Sequence, residues 1–222
     1  MIIGNGLIAN SLKFIDTADN IFFASGVSNS LETRSSEFQR EFTLLQDNLK
    51  KYSEHKFIYF STLSINDQSK QGSHYVLHKL AMEEFIKSHA RQYLILRIGN
   101  IVGRGGNPNT LFNYLKNQII HNQTFTVHSK ARRLLIDMDD ITEFLSVSCP
   151  DINNSVINCA FPYYYNLMEI IDVIEKKTQQ KAIYDEVNEG DFYKVLFEDN
   201  INNFFNGTSP EQYITTLSEK YI

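Results

Sequence analysis

The chain has 222 residues, of which 42% are hydrophobic and 21% charged, a balance that suits one folded domain with a substantial core. Its formal net charge of −5 excludes a generally basic nucleic-acid face, although the local cluster of Lys130, Arg132 and Arg133 can still grip a phosphate. No apolar run approaches the ~18 residues of a membrane span, and the first residues lack the charged-then-apolar plan of a signal peptide, so we expect a cytoplasmic protein that binds neither membrane nor nucleic acid.

In chain order, residues 1–3 read as a very short strand that runs into Gly4-x-Gly6-x-x-Ala9, with a short helix over 7–15. Gly4 permits a tight turn, Gly6 lets a pyrophosphate approach the backbone and Ala9 allows close packing of a helix whose N-terminus faces phosphates. A plain glycine-containing turn is the structural alternative. Residues 20–26 form a strand with a small tip at Ala24, Ser25 and Gly26. From about 35 to 54, Phe38, Phe42, Leu45, Leu49 and Tyr52 recur at three and four residues, one helical face against a sheet. No chemistry is assigned to that face.

Residues 57–60, all β-formers, run into Ser61 and Thr62, and a polar turn leads to a helix that opens near Ser73, carries Tyr75 and Lys79 and continues through Leu80, Met82, Phe85 and Ile86. Residues 93–98 read as a buried strand and 99–109 as a turn-rich loop. A helix over 110–120 follows, with Leu111, Tyr114, Leu115 and Ile119 inward, then a short strand at 125–128. Residues 156–160 read as the last sheet strand and 167–177 as an amphipathic helix. Cys149 and Cys159 have no His or Cys at ligand spacing, so they read as reduced core thiols and no metal site is expected. The remainder, including Tyr163, Tyr165 and the stretch near Phe204, supplies no assignable chemistry.

The chemistry concentrates in Thr62, Tyr75 and Lys79. Residues i and i+4 share a helix face, so the Lys79 ammonium can lie below the Tyr75 ring, where a cation favours a phenolate over a phenol that ionises near pH ~10. Thr62, at the carboxyl end of a strand, can hydrogen-bond the same reacting oxygen. The spacing alone is weak evidence, because a chain of this composition contains about one Tyr-x-x-x-Lys by chance. Tyr52 and Lys56 share it without a Ser/Thr-ended strand ahead of them. An interfacial aromatic and a solvated charge are the bland alternative.

Taken in order, the glycine turn at 4–9, Ser61 and Thr62, Tyr75-x-x-x-Lys79, the segment 96–103 with Arg97, Asn100 and Gly103, and the segment 133–140 with Arg133 and Asp140 resemble the extended short-chain dehydrogenase/reductases. Within them the chain resembles the NAD-dependent epimerase/dehydratase branch that modifies nucleotide-sugars. The resemblance spans about residues 1–145 and is loose beyond. It implies an α/β fold, a Rossmann-like parallel sheet flanked by helices, as one domain over 1–222. Residues 1–100 and about 154–160 would be the cofactor-binding sheet, and about 101–153 and 161–222 a small substrate-binding part.

One departure is visible. Where the family makes a second strand ending in an acidic ribose ligand about 20 residues past the glycines, this chain passes directly to the strand at 20–26, so about one strand-helix-strand portion is missing. Asp16 and Asp19 fall in the wrong place to replace that ligand, and the sequence does not choose NAD from NADP.

The resemblance also implies roles. Tyr75 would be acid and base, Lys79 its electrostatic partner and a contact of the nicotinamide ribose, and Thr62 the residue that orients the oxygen. Gly4, Gly6, Leu7, Ile8, Ala24, Ser25 and Gly26 would line NAD or NADP, and Asn100 and Arg133 the nucleotide-sugar. Asp140 would open a helix, and the helices at 35–54 and 73–86 would pair across a homodimer as a four-helix bundle. Reduction of a keto-sugar is the first expectation and epimerisation the close second. Dehydration is least favoured, because Leu63 stands where dehydratases add an acid. A contrasting reading is a family member that binds a nucleotide-sugar or a partner protein without cofactor turnover.

Overall fold

The computed structural model describes residues 1–17, 19–105, 107–190 and 192–222. Gly106, part of the turn-rich loop read at 99–109, lies outside the described residues. In chain order the elements are β1 (Ile2–Ile3), α1 (Leu7–Ser11), β2 (Asn20–Phe23), α2 (Ser35–Lys51), β3 (Lys56–Thr62), α3 (His74–His89), β4 (Gln92–Ile98), β5 (Asn100–Val102) and α4 (Leu111–Ile120). They continue as β6 (Thr124–His128), β7 (Arg132–Arg133), β8 (Leu135–Asp137), α5 (Met138–Ser148), β9 (Ser155–Cys159), β10 (Tyr165–Asn166), α6 (Leu167–Thr178), β11 (Ile183–Val187), α7 (Asp199–Phe204) and α8 (Pro210–Tyr221). Two compact units result: Met1–Ile98 with Met138–Cys159, and Gly99–Asp137 with Ala160–Ile222.

The first unit is built on a five-stranded sheet in the order β1-β2-β3-β4-β9. Every neighbouring pair is parallel, with Ile3 beside Phe23, Phe23 beside Tyr59, Tyr59 beside Ile95 and Ile95 beside Val156. All seven residues of β3 are buried, the continuous burial a central parallel strand requires when helices cover both faces. Leu45 and Leu49 of α2 and Met82 and Ile86 of α3 pack with Ile21, Phe57 and Tyr59 into one core. This is the Rossmann-like sheet the sequence implied, and β1 ends the strand order where the family's missing portion would continue it.

Polar ties fix the register of this unit. The Lys56 ammonium, at the start of β3, donates to the carbonyls of Cys149 and Ile152. Fully buried Glu83 of α3 accepts from Ser61 Oγ at 2.6 Å and from Arg97 Nη2 at 2.7 Å, linking α3 to two adjacent strands.

The second unit is made of three strand pairs and helices. β5 pairs with β8 and β6 with β11, both parallel, while β7 and β10 are antiparallel. The sequence read β5 as loop, because three residues carry no period and their partner strand lies more than thirty residues away. Strand β11 and helices α7 and α8 occupy the stretch left unassigned. Phe161 stacks on Tyr213 of α8 with ring centroids 4.1 Å apart. Helix α8 starts on a capping box between Ser209 and Gln212 with Pro210 in its first turn, the combination that satisfies its first amides.

Candidate functional site

The glycine turn takes its shape from one residue. Gly4 has φ +132°, and a Cβ added there would lie 2.3 Å from the Ala24 carbonyl oxygen, so only glycine lets the turn after β1 close against the segment after β2. Ala24 N–H donates to Ile3 O at 2.8 Å across the same junction. Gly6 is different: a Cβ there meets no atom within 4 Å, leaving its backbone open. Leu7 and Ile8, half-buried, begin α1, and Ala9 is buried. The helix is only Leu7–Ser11, followed by a 3₁₀ turn over Leu12–Phe14, in place of the single helix read at 7–15.

Thr62 ends β3 and is nearly buried, and its Oγ1 accepts the Ser64 N–H at 3.2 Å, starting a 3₁₀ turn over Leu63–Asn66. Leu63 itself is buried. Tyr75 and Lys79 stand one turn apart on α3, and the Lys79 Nζ lies 5.9 Å from the Tyr75 ring centre. Tyr75 is half-buried while Lys79 is only 2% exposed. The three hydrogens of that ammonium are directed at Tyr59 Oη at 2.9 Å, Glu41 Oε1 at 3.1 Å and, more loosely, Phe60 O at 3.5 Å. Its nitrogen also abuts Gly26, where an added Cβ would come within 2.7 Å of Nζ. The fold thus brings Gly26, Tyr75 and Lys79 together.

Three participants escaped sequence reasoning. Glu41 of α2, Tyr59 of β3 and His78 of α3 close a buried network around Lys79. Glu41 accepts from Tyr59 Oη at 2.8 Å and from the Val27 N–H at 2.7 Å, and meets His78 Nε2 at 3.0 Å. Burial alone would raise the Glu41 carboxyl, but the Lys79 charge, the His78 bond and the Val27 amide outweigh it and hold the group at about 2. For Tyr59, burial followed by the Glu41 charge pushes the phenol well above its ordinary range, so it stays a donor to the carboxylate and an acceptor from Lys79. An acid inside the apolar stripe of 38, 42, 45 and 49 was the available signal.

Asn100 and Arg133 lie in the second unit. Asn100 begins β5, and both its backbone N–H, at 2.8 Å, and its side-chain Nδ2, at 3.2 Å, donate to Leu134 O. Arg133 of β7 donates from Nη1 to Arg132 O at 2.8 Å. Its neighbour Arg132 donates from Nη1 to Ser129 O and Ala131 O, and it lines a cleft of about 270 Å³ with Ser129, Asn166 and Glu186. Asp140 falls in the first turn of α5, which begins at Met138. Among the described residues no His, Cys, Asp and Glu group is arranged to hold a metal ion, and no helix is long and apolar enough to cross a membrane.

A parallel sheet with a glycine turn after its end strand and a Tyr/Lys helix after its central strand defines the Rossmann-like α/β class. Residues 17–160 match the model of the NAD dependent epimerase/dehydratase family, and the chain belongs to that family. The matched stretch begins after the glycine turn. No curated protein sequence matches the chain.

Solved structures show the same fold at low identity. A UDP-N-acetylglucosamine 4-epimerase from Methanobrevibacter ruminantium, in complex with UDP-N-acetylmuramic acid, is 18% identical with TM-score 0.72, over 99% of this chain and 81% of that one. A UDP-glucuronic acid 4-epimerase mutant from Bacillus cereus is 17% identical with TM-score 0.74, over 98% and 78%. An ADP-L-glycero-D-manno-heptose-6-epimerase from Helicobacter pylori is 15% identical with TM-score 0.73, over 91% and 71%.

Proposed function

We propose that this chain is an NAD(P)-dependent reductase or epimerase that acts at a carbonyl or alcohol carbon of a nucleotide-linked sugar. The observation that carries the reading is the half-buried Tyr75 phenol with the Lys79 ammonium 5.9 Å from its ring, on the helix that follows Thr62. In the reducing direction the phenol gives its proton to the carbonyl oxygen, and in the oxidising direction the phenolate takes it from the alcohol. Lys79 stabilises the anion left when the proton has gone, and Thr62 orients the reacting oxygen.

The residues present fit a dinucleotide along its pyrophosphate, because the backbone at Gly6 is open. Gly4, Gly6, Leu7, Ile8, Ala24, Ser25, Gly26 and Lys79 would hold it, and when bound its nicotinamide supplies the hydride donor or acceptor. The solved relatives MoeE5 and the Thermus thermophilus UDP-glucose 4-epimerase were determined with NAD, which supports a cofactor of that type. Asn100 and Arg133 are the nucleotide-sugar contacts in this reading, the guanidinium fork suiting phosphate oxygens. Reduction of a keto-sugar is preferred and epimerisation is next. Buried Leu63, in place of an acid, disfavours dehydration. The reading includes a cytoplasmic homodimer paired through α2 and α3, for which the half-exposed Leu77 of α3 is available.

One observation favours the contrasting reading of a binding protein without turnover: all three Lys79 hydrogens are already engaged inside the chain. NADH oxidation in the presence of 4-keto nucleotide-sugars separates the two. The enzyme reading predicts turnover that Tyr75→Phe lowers by about 10²-fold or more. Binding of the nucleotide-sugar with no oxidation, or a Tyr75→Phe variant as fast as the parent, overturns it.

A further inference from the structure

Glu41 is fully buried on a helix whose other buried residues, Leu45 and Leu49, are apolar. A carboxylate without water is costly unless donors replace its hydration. Here the donors come from three other places in the chain: Val27 after β2, Tyr59 on β3, and His78 and Lys79 on α3. Lys79 has the complementary need, since an ammonium this buried tends to lose its proton when no counter-charge is near.

The charged and titratable groups around the pair are few. Helix α2 contributes Glu41 and Arg40, whose Nη2 reaches Ser25 O at 3.5 Å. Strand β3 contributes Tyr59, and α3 contributes Tyr75, His78 and Glu83, the last taken by Ser61 and Arg97. Among the described residues Glu41 is therefore the carboxylate in contact with Lys79. It is also joined to the candidate cofactor segment, because an added Cβ at Gly26 would meet Lys79 Nζ at 2.7 Å and Glu41 Oε1 at 3.1 Å, and the Val27 amide is bonded to Oε2.

We propose that Glu41 is a positioning residue for the reacting pair: its carboxylate keeps the Lys79 ammonium charged, fixes it beside the Tyr75 ring and ties both to residues 24–27. This rests on the reading of Tyr75 and Lys79 given above. It predicts that charge at position 41, more than shape, governs the site.

The test follows the charge of Lys79 directly. The full chain is labelled at lysine 13Cε, the Lys79 signal is assigned with Lys79→Arg, and pH titrations compare the parent with Glu41→Gln and Glu41→Asp. In Glu41→Gln the signal should leave its ammonium position at least about one pH unit lower than in the parent, whereas Glu41→Asp should stay within about 0.5 unit. Gly26→Ala, which pushes the ion pair apart without removing a charge, should move the signal in the same direction as Glu41→Gln and serves if that variant does not fold. A folded Glu41→Gln or Gly26→Ala protein with an unmoved Lys79 signal overturns the proposal.

An activity arm keeps the two claims apart. With a turned-over keto-sugar, Glu41→Gln should lower kcat at least about tenfold with KM for the sugar unchanged, and Glu41→Asp should recover most of it. A parent protein without turnover strikes at the enzyme reading, and the lysine titration still decides what Glu41 does to Lys79.

Discussion

At single residues, buried charge governs the site. Glu41 is held at about 2 against an ordinary value near 4.5, so the unfolded chain takes up its proton first as pH falls. The depressed value contributes on the order of 3 kcal/mol of stability, complete above pH ~4.5 and lost progressively as pH falls toward 2. Urea unfolding between pH 5 and 2.5 should show that loss in the parent, and in Glu41→Gln the loss over the same range should be smaller by about 2 kcal/mol or more; equal slopes would contradict the network. The glycines divide in the same physical way. Gly4→Ala, which meets Ala24 O at 2.3 Å with φ +132°, should cost at least about 1 kcal/mol, and Gly6→Ala, which meets nothing, should stay within about 0.5 kcal/mol. Tyr75 and Lys79 were legible because an i, i+4 pair is a local geometric fact. Glu41 was not, because its partners sit 14 to 38 residues away and no sequence period records them.

At the scale of elements, helices and strands with strong periods were read to within a few residues. The helix expected to 54 ends at Lys51 with Tyr52 as its C-cap, and the strand read at 57–60 runs the full length of Lys56–Thr62. The elements that escaped are those held by distant contacts. Helix α8 is one: Asp137, at the end of β8, is bonded to Lys220 Nζ at 2.5 Å and to the Tyr221 hydroxyl, and its N–H donates to Tyr213 Oη at 2.8 Å. Asp137 is 3% exposed, so removing its carboxylate takes away the buried anion that the half-buried Lys220 ammonium and Tyr221 hydroxyl converge on. Asp137→Ala should therefore destabilise the chain by about 2 kcal/mol and speed amide exchange in residues 213–221 at least tenfold. Protection of α8 equal to that of the parent would show that its apolar face alone secures it.

At the scale of the whole molecule, the strand order β1-β2-β3-β4-β9 explains the departure seen in the sequence. A strand beginning at Asn20, so soon after the glycine turn, leaves no room for the strand, helix and strand that carry the family's ribose ligand, and β1 becomes the end of the order. That much was legible, because a missing element shows as missing length. The homodimer was implied by resemblance and gives its own test: Leu77→Lys should convert a dimer to a monomer in light scattering, and a parent that is already monomeric would remove that part of the reading.

In the proposed function this shortened fold still takes a nicotinamide dinucleotide. Calorimetric titration with NADH and NADPH tests it most directly, with Gly6→Trp as the blocked control, since Gly6 faces open space and the larger side chain need not disturb the fold. Micromolar binding of at least one nucleotide is expected, and its loss in a folded Gly6→Trp variant. Binding of neither nucleotide by the parent would contradict it and leave the nucleotide-sugar binder as the reading to pursue.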